Sequence, residues 1–135
     1  MRKKAEELYL ATDEFGRNFG TSIIPLLAVA DGDLDWNQMR DMQIANPPKR
    51  DYGGAETMEM LTRIYFSSAE PDLKKVFAAR DELNVLQRAF KEAYQQDDHR
   101  DPRWRKVLAG AAMDVERAIQ ALKAKVVGLS GEHIH

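Results

Sequence analysis

From Trp104 onward the apolar residues Val107, Leu108, Ala111, Val115, Ala118, Ile119, Leu122 and Val126 follow one another at helical spacing. That pattern lays one continuous stripe along an α-helix, and the period-two alternation of a half-buried strand cannot produce it. Asp101 is placed to cap the start, Pro102 suits a first turn, and Gly128 is a natural stop. A helix over residues 103–127 is therefore predicted. Its charges, among them Asp114, Glu116, Arg117, Lys123 and Lys125, lie mainly off the stripe.

A second stripe precedes it. Leu73, Val76, Phe77, Leu83, Leu86, Phe90 and Tyr94 share a face, with Ala79 and Ala93 beside them. Glu70-Pro71-Asp72 opens the segment with the proline where its missing N–H is least costly. The polar run Gln95-Gln96-Asp97-Asp98-His99-Arg100-Asp101 closes it. Two long amphipathic helices joined by so short a link pack antiparallel as a hairpin.

The first half of the chain is less regular. Leu8, Phe15, Phe19, Ile23 and Leu26 point to a long first helix, which Gly16, Gly20 and above all Pro25 weaken. That helix either kinks at the proline or breaks and restarts with Thr21 or Ser22 as a cap. Asp31-Gly32-Asp33 reads as a turn, and Asp33 or Asp35 can cap a short helix from Trp36 to Ala45, stopped by Pro47-Pro48. Residues 46–54 read as a loop, and Ala55 to Phe66 as a further helix with Met58, Leu61, Ile64 and Tyr65 turned inward. The expected fold is all-α, an irregular four- to five-helix bundle ending in a long antiparallel helical hairpin. Residues 1–128 form its single domain, and residues 129–135 a flexible C-terminal tail.

Composition narrows the function classes. The 135 residues are 44% hydrophobic and 31% charged, enough to bury one core. A formal net charge of −2 creates no field that would draw the chain to nucleic acid or anionic lipid. Without cysteine there can be no disulfide, zinc–thiolate site or thiol nucleophile, a composition that fits the cytosol. The longest apolar run, Ile23 to Ala30, falls far short of the ~20 residues that a membrane-spanning helix needs. Glu6 and Glu7 stand where the apolar core of a signal peptide would have to lie.

Motifs that carry chemistry are missing. The chain has no phosphate-binding glycine loop and no G-x-S-x-G, and Ser67-Ser68 has no histidine nearby in sequence. Glu6-Glu7, Asp13-Glu14, Asp81-Glu82 and Asp114-x-Glu116 sit on polar helix faces and lack the Glu-x-x-His pattern of a di-metal bundle. His99, within Asp97-Asp98-His99-Arg100-Asp101, lacks the alternating ligands, central glycine and distal glutamate of a calcium loop. His133 and His135 fall at the terminus. No catalytic, cofactor-binding or metal-binding residue is assigned, and no cofactor is expected.

Three sets of residues stay in play. Arg100, Arg103, Arg105 and Lys106 surround Trp104, and Lys49-Arg50 precede Tyr52. This is the look of a nucleic-acid contact, but the simpler expectation pairs the arginines with Asp97, Asp98 and Asp101 and places Trp104 in the core. Arg80 and Asn84, one turn apart on the flank of the second stripe, form either a structural ion pair or the wall of a polar groove. Trp36, Met39, Met42 and Tyr52, with Ile44, either pack in the core or offer an adaptable apolar surface around a short helix and a proline-rich loop.

Several segments resemble a type of small uncharacterised bacterial helical protein. They are Arg2-Lys3-Lys4-Ala5-Glu6-Glu7-Leu8-Tyr9, Asp35-Trp36-Asn37-Gln38, Met58-Glu59-Met60-Leu61, Ile64-Tyr65-Phe66 and Ala79-Arg80-Asp81-Glu82-Leu83-Asn84. The similarity covers the chain to about residue 95; the last helix matches only in character. Such proteins carry an apolar anchor segment just before the R-K-x-x-E-E-L-Y-like stretch. The resemblance implies a soluble portion in which Met1 replaces the anchor and Arg2-Lys3-Lys4 is its cytoplasmic flank. It brings no activity and no catalytic residue.

The expectation is a non-enzymatic helical interaction module, in the bacterial cytoplasm or on the cytoplasmic face of the inner membrane. Its partner is another protein or a second copy of itself. A small-molecule- or metal-binding bundle is the alternative, and nucleic-acid binding the third.

Overall fold

The computed structural model of the protein describes residues 2–45 and 54–132. They form five α-helices: α1 (Arg2–Ala30), α2 (Trp36–Ala45), α3 (Ala55–Tyr65), α4 (Glu70–Gln95) and α5 (Arg103–Glu132). A 3-10 turn, Ser67–Ala69, leads into α4. Among the described residues there is no strand, and no helix is long and apolar enough to cross a membrane.

The helices form a square. α5 packs between α1 and α4, and α3 packs against both α1 and α4. The diagonal pairs, α1 with α4 and α3 with α5, bring no Cα atoms within 8 Å of each other. Cross-links give the directions. Arg105 at the start of α5 pairs with Asp31 just past the end of α1 at 2.8 Å, while Lys123 near its end reaches Asp13 at 2.9 Å. α1 and α5 are thus antiparallel. Gln43 donates its side-chain amide to the Ser22 carbonyl, and Lys4 lies over the Tyr65 ring. So α2 descends along the second half of α1 and α3 along the first. The chain runs up, down, up and down, a four-helix bundle whose second helix is split into α2 and α3.

The caps explain the boundaries. α1 ends in a Schellman turn, with Asp33 N–H donating to the Ala28 carbonyl and Gly32 N–H to that of Val29. Gly32 holds φ at +84°, where a side chain would be strained. α2 opens with a reciprocal box: Gln38 N–H donates to the Asp35 carboxylate, and Asp35 N–H to the Gln38 side-chain oxygen. Asp101 accepts from the Arg103 N–H at 2.9 Å and so starts α5.

At the helix breakers one of two alternatives is removed and one expectation fails. α1 does not break at Pro25: Thr21 caps nothing, its hydroxyl donating back to the Arg17 carbonyl inside an unbroken helix. Burial of Ile23, Leu26 and Val29 on the bundle face outweighs the one backbone bond that the proline forfeits. α5 likewise continues through Gly128 to Glu132, so residues 129–132 are helix and not tail. Leu129 packs against the core there, and that contact outweighs the ~1 kcal/mol by which glycine disfavours a helix. Residues 133–135, with both terminal histidines, lie outside the described residues.

The core is almost entirely apolar. Leu8, Leu26, Met58, Leu61, Val76, Phe90, Leu108, Val115, Ile119, Leu122 and Val126 are almost wholly buried. Thr12 and Thr62 are the polar residues buried among them, and Thr12 donates to the Leu8 carbonyl. Ile64 and Tyr65, expected to face inward, are exposed, because α3 turns Met58, Leu61 and Thr62 to the bundle.

Candidate functional site: a cationic groove between α2 and α4

α2 does not complete the square. No Cα of α2 comes within 8 Å of one in α4, although α3, farther along the same side, packs on α4. The two helices meet at one end. There Trp36 packs beside Phe90 and Tyr94, with ring centroids 6.2 and 5.5 Å away, and its backbone N–H donates to the Tyr94 hydroxyl at 3.2 Å. Trp104 and His99 complete this aromatic cluster, at 5.4 Å from Phe90 and 4.1 Å from Tyr94 respectively.

The unfilled space is a groove of about 510 Å3. Among the described residues it is lined by Trp36, Met39, Arg40 and Gln43 on α2 and by Asn84, Gln87, Arg88 and Lys91 on α4. Both sets follow the i, i+3, i+4, i+7 rule, so each is one stripe of its helix and the two stripes face each other. Met39, only 2% exposed, joins the groove to the core. The walls are polar: three side-chain amides and three cations, with no carboxylate among the described lining residues. Arg40, Arg88 and Lys91 have no carboxylate within ion-pair distance among the described residues, whereas Arg100, Arg103 and Arg105 all do.

The structure redistributes the residues that the sequence singled out. Trp36 and Met39 line the groove, Trp36 half-buried and Met39 in the core, so Met39 is not part of a free surface. Met42 is exposed but does not line the groove, and Tyr52 lies outside the described residues. Asn84, exposed, stands on the groove wall. Arg80 does not: it bonds the neighbouring Asp81 carboxylate at 3.1–3.2 Å and lies 4.6 Å over the Phe77 ring. Arg40, Gln43, Gln87, Arg88 and Lys91 escaped the sequence reading. Their helical spacing was visible, but nothing local distinguishes a polar stripe facing a gap from one facing water.

The three arginines around Trp104 are tied down. Arg103 holds Asp101 and Arg100 holds Asp97, as expected, but Arg105 takes Asp31 from the end of α1. Trp104 packs against the core. The Arg103 guanidinium, with its N–H, keeps the Asp101 carboxyl below the ordinary carboxylate range. Among the described residues no group of three or more His, Asp or Glu side chains is placed to hold a metal ion.

Another large concavity, about 580 Å3, lies between the first turns of α1 and the last of α5. Its lining is mostly apolar, with Ala5, Tyr9, Leu10, Val126 and Val127 prominent. Compared with known protein families, curated proteins and solved structures, the chain matches none.

Proposed function

We propose that this protein is a non-enzymatic helical interaction module that receives a segment of a partner protein in the groove between α2 and α4. One observation carries the reading: α2 is pinned at Trp36 and Gln43 yet held off α4, so two facing stripes of side chains stand without a helix between them. Drug-sized ligands favour enclosed, largely apolar pockets. A polar, open trough between two helices suits a peptide segment better. A bacterial cytoplasm or the cytoplasmic face of the inner membrane fits a chain with no cysteine whose first helix opens with the exposed pair Arg2 and Lys3.

The test is a peptide panel. Amphipathic helical 20-mers with acidic, neutral and basic flanks would be titrated into the 15N-labelled chain. The reporters are the Trp36 indole and the side-chain amides of Gln43, Asn84 and Gln87. Saturable shifts confined to these groups support the reading. A panel in which no member moves them overturns it.

A further inference from the structure

Resting on that reading, we infer that the groove selects an acidic amphipathic helix of a partner protein, two to three turns long, with an apolar residue directed at Trp36. Three features of the groove converge on this partner. Its charge is one-sided: Arg40 on one wall and Arg88 and Lys91 on the other, with no carboxylate among the described lining residues. Elsewhere on the surface the cations are largely neutralised locally, as in Arg2 with Glu6, Arg17 with Asp13, Arg63 with Glu59 and Arg100 with Asp97. Cations without such partners are free to meet carboxylates from outside.

Length is the second feature. Residues 36–43 and 84–91 each span two helical turns, about 10 Å at 1.5 Å per residue. A bound helix of two to three turns would match both walls along their whole length. The third feature is the floor. Trp36 supplies a half-buried indole within an otherwise polar trough, and the core residue Met39 closes its floor. The indole gives one apolar side chain of the partner a place to leave water. Gln43, Asn84 and Gln87 are donor–acceptor amides that can bond a helix's polar flank in more than one register. A basic helix would place like charges against Arg40, Arg88 and Lys91, and a purely polar one would leave the indole uncovered.

The acidic and basic panel peptides, and an acidic peptide with its apolar residues replaced by serine, would be compared on three proteins. These are the unaltered chain, the double variant Arg88→Glu with Lys91→Glu, and a charge-matched control, Lys75→Glu with Arg117→Glu, whose exposed sites lie away from the groove. Circular dichroism and thermal melts would establish that all three are folded. The acidic peptide is expected to bind the unaltered chain and the control alike. Binding should weaken at least about tenfold on the groove variant, and several-fold between 50 and 300 mM salt. The serine peptide should bind more weakly than its parent.

Equal loss on the control would reduce the effect to net charge and overturn the inference. Equal or tighter groove binding by the basic peptide would also overturn it while leaving the interaction module standing. A groove that no peptide enters removes both. A dimer of the unaltered chain, dissociated by the groove variant but not by the control, would assign the groove to a second copy and overturn the choice of a heterologous partner.

Discussion

The two halves of the bundle's split second helix meet the same neighbour in opposite ways. α3 turns Met58, Leu61 and Thr62 inward and closes the square between α1 and α4. α2, one segment earlier, buries only Met39 and half-buries Trp36, and it stands off α4. The cause lies on both sides of the gap. Phe77, two turns before Asn84 and so on the same stripe of α4, packs against the core and meets the edge of Phe15 at 6.2 Å. Farther along that stripe come Asn84, Gln87, Arg88 and Lys91, facing Arg40 and Gln43. Two polar, like-charged stripes gain nothing by closing on each other, because burying unpaired cations costs more than the contact returns. A helix packs where its neighbour's stripe is apolar and stands off where that stripe turns polar.

That contrast can be broken first at the core. Met58→Ala, at a wholly buried site in the closed half, should lower unfolding free energy by about 2–5 kcal/mol in urea titrations. Met39→Ala should fall at or below the bottom of that range, since water can reach its cavity from the groove. Equal losses would mean that the two halves are equally packed. Gly54 sharpens the point. Its φ is +91°, and an added Cβ would sit 2.8 Å from the Ala11 carbonyl oxygen, so Gly54→Ala should cost about 1–3 kcal/mol through strain where α3 begins. The melting temperature would report it.

Trp36→Ala tests the pin of the open half. A loss of about 1–2 kcal/mol is expected for this half-buried side chain, less than for a core aromatic. The sharper readout is hydrogen exchange: protection should fall throughout α2 and persist in α5. Uniform loss would show that α2 is as integral to the bundle as α3.

The smallest effect belongs to the α1–α5 contact. Hydrogen bonds from Arg17 and then Lys123 hold the Asp13 carboxyl below its ordinary range. A depressed carboxylate stabilises the fold above its unfolded pKa, about pH 4, and loses that contribution as pH falls towards the folded value. Lys123, raised chiefly by the hydrogen bond it donates to Asp13, carries the reciprocal contribution, present at neutral pH and lost only as pH rises through its elevated folded value. Lys123→Met should therefore cost about 0.5–1 kcal/mol at pH 7 and progressively less as pH falls below about 4 towards the depressed folded value of Asp13. A difference between variant and parent that does not shrink on acidification would show that the lysine acts through packing alone.

The helices themselves were legible in the chain. The stripes of α4 and α5 span enough turns for periodicity to outweigh local noise, and Asp35, Pro71 and Asp101 mark helix starts through bonds and dihedrals confined to a few residues. At Gly128, read as a stop, and at Pro25, where the sequence left a kink or a break open, a distant contact overrode a local preference: both lie in helices whose apolar neighbours are already buried against another helix. Arg105 chose Asp31 over nearer acids for a similar reason, because the antiparallel crossing of α1 and α5 brings residues 74 apart in sequence to one corner.

The groove was half written. Trp36, Met39 and Asn84 stood out as residues, but in two unrelated groups, and Arg80 was grouped with Asn84 although it folds back on Phe77 and Asp81. By itself the sequence determined the helices, their apolar faces and the hairpin at the end, since those follow from periodicities and caps a few residues long. Only the tertiary structure decided that α2 stops short of α4 and that Arg40 faces Arg88 and Lys91 across the gap. Which polar stripe meets water and which meets another polar stripe depends on where the whole bundle places two stripes more than forty residues apart in sequence.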